Sequence, residues 1–374
     1  MKQKKSATET NSIAKKIGIV GAGQLGRMLA LSGYPLGLKF VFLDKSADAP
    51  GGQVGNIVLG EFTDAGKIAQ LAAQVDVLTY DVENVPVSAL SKLPEQKTFL
   101  PPVVALAAGQ DRLSEKNLFR NLKIPTPKFR AIESMPELEE AIHVIGYPAV
   151  LKTRRLGYDG RGQRFIRSPA ELGSAYNALA GAPLILEEFI AFEREVSIIG
   201  VRNRSGDTAF YPLSENRHRE GILRLSIAPY PDRKLQSQAQ QYAKRIMQHF
   251  DYAGILTIEF FVRKGKLIAN ETAPRVHNSG HWTIEGAVTS QFENHLRGIL
   301  NLPLGDTSPV GYSAMVNFIG EMPPLADVLK IPGAHYHDYG KDARPNRKLG
   351  HATLVCKTKK ELLSRLKKFP GLDR

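Results

Sequence analysis

Cysteine is nearly absent. Cys356 is the only one in 374 residues, so no internal disulfide can form and no multi-cysteine metal cluster can be assembled. One thiol without a chemical neighbourhood reads as buried packing and not as a nucleophile, and a reducing cytoplasm is the expected compartment. No run of eighteen apolar residues occurs, which argues against a transmembrane helix. Residues 1–15 are polar and lack the apolar core of a secretory signal, so they are expected to be a disordered extension. A Walker A sequence (GxxxxGK[ST]) is missing, no Ser/His/Asp or Cys/His triad can be assembled, and nothing indicates a hydride-transfer site. No stretch interleaves basic and aromatic residues as a single-strand-binding surface does.

That last absence matters because the net charge is +13, a value that invites nucleic acid. The first sixteen residues carry five Lys and one Glu, and Lys357 to Arg374 carry seven Lys or Arg against two Asp or Glu. The two ends therefore hold nine of the thirteen charges. Solvated basic termini account for the excess, no nucleic-acid or membrane partner is expected, and arginines within the body remain candidates for an anionic small molecule.

The length predicts two or three domains. "KIGIV", a glycine turn with a helix, "LKFVFLD", "VDVLTYD" and "TFLPP" alternate strand and helix, which predicts a small parallel sheet with helices on both faces. A helix is expected over Ala108 to Leu122, ended by the prolines of "KIPTPKF". The pattern then changes to the strands "YPAVLK", "PLILEEFI", "REVSIIGVR", "TAFYPL" and "LRLSIAPY", with helices at Ala170 to Leu179 and Leu235 to Phe250. A hairpin, "GILTIEFFVRKGKLIANETA", completes an α+β region. From about Leu302 the chain reads as short strands and turns.

Gly21, Gly23 and Gly26 form GxGxxG between a strand and a helix, with Asp44 ending the next strand. This is the setting of a dinucleotide fingerprint, yet the same turn serves any phosphate ligand or tight packing. The hairpin is more informative. If its turn centres on Gly265, Glu259 and Glu271 are directly opposite, with Cβ atoms roughly 4.5–5.5 Å apart, and like charges there are destabilising. A divalent cation removes that cost, and Mg²⁺ is typically held by one or two carboxylates plus substrate phosphates; the alternative is a solvent-facing pair. Lys152, at a strand end before the loop Gly157 to Gly162, suits a nucleotide phosphate or a plain basic surface. Ile185 to Ile190 with Glu195 suits an adenine edge and a ribose, or a buried strand with exposed acids. "APRVHNSGHW" gathers Arg275, His277, Asn278, His281 and Trp282. Gly280 and Asn278 disfavour the helix that a zinc pair would need, and a polar loop facing a substrate fits better. Lys341, Arg344, Arg347 and Lys348 surround Pro345 and suit a phosphate or solvent.

The order of "GAGQLGRM", "AGQDRLSEKNLFRNLKIPTP", "PAVLK", "GYDGRGQ", "LEEFI", "IEFFV", "NETAPRVHNSGHWT" and "RPNRKLGH" resembles the ATP-grasp superfamily. More narrowly it resembles the 5-(carboxyamino)imidazole ribonucleotide synthases, from about Lys16 to about Lys368. "GYDGRGQ" and "APRVHNSGHWT" are specific to that family; the glycine fingerprint is not. The resemblance implies an α/β and α+β chain in three parts, a Rossmann-like domain (16–108), an ATP-grasp domain (109–301) and a small C-terminal β-rich domain (302–374), usually assembled as a homodimer. It implies a ligase that uses ATP, Mg²⁺ and bicarbonate to carboxylate 5-aminoimidazole ribonucleotide through carboxyphosphate in purine biosynthesis.

Carried over by motif, Arg112 and Lys152 would contact ATP phosphates, and Gly157, Tyr158, Asp159, Gly160, Arg161, Gly162 and Gln163 would close over nucleotide and substrate. Glu187, Glu188, Phe189 and Ile190 would hold adenine and Glu195 the ribose, with His218 and Asn270 lining the ATP site. Glu259 and Glu271 would be the Mg²⁺ ligands, Glu271 also reaching ATP. Gly23, Gln24, Leu25, Glu83, Tyr158, Arg161, Arg275, His277, Asn278, Lys341 and Arg347 would face the ribonucleotide, Lys341 and Arg347 at its phosphate, and Arg275, Lys341 and Arg347 would be the catalytic residues. Two departures stand out. Asp81-Val82-Glu83 replaces the common Glu-x-Glu, and Asn346 replaces a frequent glycine, where asparagine tolerates left-handed backbone. A formate-using transformylase or a biotin carboxylase would share the ATP half, and a NAD-binding module would rest on the glycine turn alone.

Overall fold

Residues 16–90, 93, 97–157 and 162–370 are described by the structure, a computed structural model. The extension expected over 1–15 lies outside them, as do Tyr158, Asp159, Gly160 and Arg161 of the glycine-rich loop.

Five strands, β1 (Lys16–Val20), β2 (Lys39–Asp44), β3 (Asn56–Leu59), β4 (Val77–Tyr80) and β5 (Thr98–Phe99), pair in parallel in the order β3-β2-β1-β4-β5. Within β2, Phe40 and Phe42 enter one core while Val41 and Leu43 enter another, so both faces of the sheet have to be covered. Helix Gln24–Gly33 covers the first face with Leu25, Met28 and Leu29. Helix Ala65–Ala73 covers the second with Ile68, Leu71 and Ala72. β3 has no counterpart among the expected strands, because only Val58 of its four residues is buried and no apolar run marks it.

Four further strands, β6 (Phe129–Ile132), β7 (Ala149–Thr153), β8 (Gln163–Ile166) and β9 (Leu184–Glu188), make an antiparallel sheet in the order β6-β9-β7-β8. Leu138, Ala141 and Ile142 of helix Met135–Ile145 back it. The single helix expected over Ala108 to Leu122 is instead two, Val103–Gly109 and Arg112–Asn121. Asp111 makes the break. Its carboxylate accepts the N–H groups of Leu113 and Ser114 as an N-cap, and Arg154 and Arg155, just past β7, bind the same group at 2.8 and 3.1 Å. The helix expected over Ala170 to Leu179 is shorter, Leu172–Asn177, after one 3-10 turn.

The remaining strands are β10 (Arg194–Arg202), β11 (Thr208–Phe210), β12 (Ser214–Arg219), β13 (Ile222–Ala228), β14 (Gly254–Arg263), β15 (Lys266–Ala273), β16 (Tyr312–Ile319), β17 (Ala334–Asp338) and β18 (Lys348–Cys356). They form one antiparallel sheet, β15-β14-β10-β12-β13-β16-β18-β17, with β11 beside β10. The C-terminal strands β16 to β18 join it through β13, where Leu225 pairs with Val316 and Ile227 with Ala314. The core beneath that junction includes Leu354 and Cys356, which places the lone thiol in packing. Helix Arg233–His249 covers the β10–β14 part with Leu235, Ala239, Tyr242 and Ile246. The turns that follow β1 and β4, the strands β7 and β8, and the hairpin β14–β15 all present residues to one cleft.

Candidate active site

The cleft has two adjoining parts. A cavity of about 490 Å³ reaches from Gly23 and Glu83 to Glu259 and Arg275. A second, of about 600 Å³, lies against Glu187 to Ile190. Lys152, Gln163, Glu195, His218 and Gly221 border both.

Glu259 and Glu271 are register partners across β14 and β15. The turn is not centred on Gly265, however. Arg263 pairs with Lys266, so Lys264 and Gly265 form a two-residue turn, at φ 51° and 67°, the positive values that a tight hairpin loop requires. An unbroken ladder from that turn would set Glu259 against Asn270. A β-bulge intervenes: Phe260 pairs with Ala269, and the next rung joins Glu259 to Glu271. A slip of one residue exchanges the faces of a strand, so the bulge is what places both carboxylates on one side. The Glu259 carboxyl is raised to about 7, first by burial, with the charges of Glu271 and Glu195 pushing further and that of His218 pulling back. Two acids in this setting fit a hard divalent cation. Among the described residues no group of three or more His, Cys, Asp or Glu could hold a metal, so a cation here would need further oxygens from outside the protein.

Strand β7 alternates. Ala149 and Leu151 enter the core of their own sheet, while Val150 and Lys152 face the second cavity. Lys152 Nζ donates to Glu187 Oε2 at 2.8 Å. Phe165, Phe189, Phe192 and Phe261 also line that cavity, with Phe192 stacked on Phe261 at 4.7 Å; these apolar faces suit a flat ring. Arg112 Nη2 donates to the Gly157 carbonyl at 3.3 Å, at the start of the glycine-rich loop. Gly162 ends the loop at φ 71°, where a Cβ would stand 2.5 Å from Thr153 Oγ1. His218 Nδ1 is bonded to Glu195 Oε2. Burial works against a charged imidazole there, but the Glu195 hydrogen bond and the Glu259 charge outweigh it and lift His218 to about 9. At neutral pH it is a cation facing both cavities. Asn270 lines neither cavity, and its carbonyl accepts from Lys116.

On the far side of the first cavity, Arg275 Nε lies 3.0 Å from Glu83 Oε1, without the alignment of a hydrogen bond. Burial and then the cations Arg275 and Lys348 hold His277 well below the usual range, so its ring is neutral. Its Nδ1 accepts the Ser279 N–H, which leaves the ring proton on Nε2, 3.8 Å from Glu259. Asn278 and Asn317 exchange hydrogen bonds at 3.0 and 2.7 Å. His281 and Trp282, from the same motif, are fully buried and belong to the core. Lys341 Nζ donates to Gln24 Oε1. Burial, then Arg347, lowers Lys341 to about 8, against the opposing pull of Asp81. Arg347 donates to the Asp342 carbonyl at 3.0 Å and, like Lys341, stands beside the cavity and not in its lining. Lys348 does line it. Asn346 sits at φ 62°, the left-handed conformation expected of it.

The glycine turn already holds an anion. A Cβ on Gly21 would stand 1.7 Å from Asp81 Oδ1, and one on Gly23 or Gly26 would stand 3.0 or 3.1 Å from Oδ2. The Gly26 N–H donates to Oδ2 at 3.0 Å. Burial raises the Asp81 carboxyl to about 6 against that hydrogen bond. The carboxylate thus occupies the helix N-terminus at which a dinucleotide pyrophosphate would dock. Asp44, the ribose-binding candidate in a dinucleotide reading, is turned onto the Ala22 N–H at 2.9 Å.

Two further charged residues beside the site have no role in the motif reading, and Asp81, marked in the sequence only as a departure from Glu-x-Glu, fills the glycine turn. Glu115 accepts the N–H and hydroxyl of Thr272 at 2.6 and 2.7 Å, and Lys116 is 1% exposed beside Glu187. Glu115 and Lys116 fall three and four residues after Arg112 and share a helix face with Phe119, so charges on an apolar stripe are the signal that marks them.

Models of known domains match the chain in three segments: a ribonucleotide synthetase preATP-grasp domain over residues 14–110, an ATP-grasp domain over 117–292, and a phosphoribosylaminoimidazole carboxylase C-terminal domain over 313–365. The N5-carboxyaminoimidazole ribonucleotide synthase of Pseudomonas aeruginosa is 48% identical over 357 residues, covering 96% of this chain and 99% of that one. The crystal structure of N5-carboxyaminoimidazole ribonucleotide synthetase from Thermus thermophilus superposes with a TM-score of 0.91 at 55% identity, over 94% of this chain and 97% of that one. The Aspergillus clavatus synthase, crystallised with ADP and 5-aminoimidazole ribonucleotide, gives a TM-score of 0.89 at 31% identity, over 97% and 99% of the two chains.

With Asp81 filling the glycine turn, NADH should leave the unfolding temperature unchanged. ATP with magnesium at about one hundred times its dissociation constant should stabilise the fold by about 2.7 kcal/mol and raise that temperature. Differential scanning fluorimetry reads both, and stabilisation by NADH would contradict the filled turn.

Proposed function

We propose the function from one premise: the chain belongs to the N5-carboxyaminoimidazole ribonucleotide synthase family of ATP-grasp ligases. It carboxylates 5-aminoimidazole ribonucleotide at the expense of ATP, in purine biosynthesis. The observation that carries this reading is the set of residues that line both cavities. Lys152, Glu195 and His218 on the nucleotide side and Arg275, His277 and Asn278 on the other meet across the opposed carboxylates Glu259 and Glu271.

Bicarbonate is a poor electrophile, and phosphorylation by ATP to carboxyphosphate activates it. Such a transfer needs positioning and charge neutralisation more than covalent help, which agrees with a cleft rich in cations and without an activated nucleophile. Val150, Phe165 and Glu187 to Ile190 receive the adenine, Glu195 the ribose, and Lys152, Arg112 and charged His218 the phosphates. Glu259 and Glu271 are the residues that would hold Mg²⁺, which when bound neutralises charge on the transferring phosphate. Neutral His277 keeps its Nε2–H beside Glu259 and adds no charge there. Arg275, Lys341 and Arg347 bind the ribonucleotide, with Gln24 orienting the Lys341 amine. Tyr158, Asp159, Gly160 and Arg161, by their motif, act on nucleotide and ribonucleotide. A cleft closed to water protects carboxyphosphate and the CO₂ it releases until the exocyclic amine captures it. The divisions 16–108, 109–301 and 302–374, a homodimer and a cytoplasmic location belong to the same proposal. Among the described residues no helix is long and apolar enough to cross a membrane.

ADP release should require the ribonucleotide and rise with added bicarbonate, alongside carboxylated product. Release without any ribonucleotide dependence would redirect the search to another acceptor. Glu271→Gln should keep the circular-dichroism spectrum and lower kcat at least a hundredfold, about 3 kcal/mol; an active variant removes the metal assignment. The pH profile tests Lys341. Its amine is charged below about pH 8 in the free enzyme and binds phosphate only when charged, so kcat/KM for the ribonucleotide should fall as pH rises through that value. Lys341→Arg should move the fall to higher pH, because a guanidinium stays charged. Identical profiles would show that another group titrates.

A further inference from the structure

Two ammonium groups converge on one buried carboxylate oxygen. Lys152 Nζ stands 2.8 Å and Lys116 Nζ 3.8 Å from Glu187 Oε2. Glu187 is 2% exposed, and among the described residues its other oxygen has no donor. The two lysines differ in access. Lys152 borders both cavities, whereas Lys116 is 1% exposed and borders neither. Its amine is fixed by donation to the Asn270 carbonyl, on the strand that carries Glu271.

This geometry bears on nucleotide binding, and its reading rests on the assignment of Lys152 to a phosphate made above. A phosphate that takes up Lys152 competes with Glu187 for the same ammonium. A buried carboxylate stripped of its only partner is strongly destabilised, so a Glu187 with Lys152 alone would hold that lysine back. We propose that Lys116 is a positioning residue that keeps Glu187 neutralised, so that Lys152 is free to turn to the nucleotide phosphates. Lys116 touches no substrate. It acts through the carboxylate that it shares with Lys152, and through Asn270 it ties β9 of the four-stranded sheet to β15 of the large one. The charge of Glu187 is answered by Lys116, whichever way Lys152 points.

The test is a double-mutant cycle read as ATP affinity by isothermal titration, with unfolding temperature recorded for every variant. Lys116→Met should weaken ATP at least tenfold in the presence of Glu187. The same substitution should change affinity by less than threefold in the Glu187→Gln background, where no buried charge retains Lys152. The KM for the ribonucleotide should be unaffected by Lys116→Met. Equal losses in both backgrounds would mean that Lys116 supports the fold only, and no loss in either would remove the role. If Lys116→Met alone does not fold, the comparison of Lys116→Gln with Lys116→Gln/Glu187→Gln decides on the same criterion. Lys152→Met separates this inference from the reading beneath it. Unchanged ATP affinity in that variant would overturn the phosphate role of Lys152. A large loss there, with none in Lys116→Met, would overturn the inference alone.

Discussion

Glu259 and Glu271 repel each other across one rung of the β14–β15 ladder, and the rest of the cleft is arranged around that repulsion. Opposed like charges destabilise a strand pair, and low local dielectric makes their repulsion larger than it would be in water. The chain goes out of its way to create the conflict. The two-residue turn at Lys264 and Gly265 would set Glu259 against Asn270, and the bulge brings Glu271 to the same side instead. Charged His218 answers part of it, drawing Glu259 down while being raised in return. What remains is a demand for a further positive charge.

The same logic recurs in the buried acids around the cleft. Asp111 caps one helix and collects Arg154 and Arg155. Glu187 collects Lys116 and Lys152. Asp81 turns into the glycine turn and accepts the Gly26 N–H. Each of these carboxylates joins elements far apart in sequence, so the cations that face substrate are set by tertiary contacts and not by their own loops. Lys341, held by Gln24 from the other end of the chain, shows the same principle with the charge reversed.

How legible was this in the sequence? The strands were, because β2, β10 and β14 carry apolar runs, and Glu259 stood out as a charge inside one of them. Their opposition was inferred from a turn centred on Gly265, whereas it comes from a bulge that no local pattern announces. The helix over Ala108 to Leu122 looked continuous because Asp111 breaks it for partners forty residues away. GxGxxG looked like a dinucleotide turn because the acid that fills it, Asp81, is supplied by another strand. Lys116 shows in the sequence only as a charge on the apolar stripe of its helix, since the acid that makes a buried lysine tolerable, Glu187, lies on another element. Arg347 and Asn270 were placed by motif, and the structure sets both beside the cavities and not in their lining.

Centrally, the bulge is held to present Glu259 and Glu271 to one divalent cation that a nucleotide phosphate also holds. Anomalous diffraction from crystals grown with Mn²⁺ and ADP tests this most directly. The expected result is a manganese peak within bonding distance of both carboxylates and of a phosphate oxygen. A peak bound by neither glutamate, with ADP in place, would contradict it.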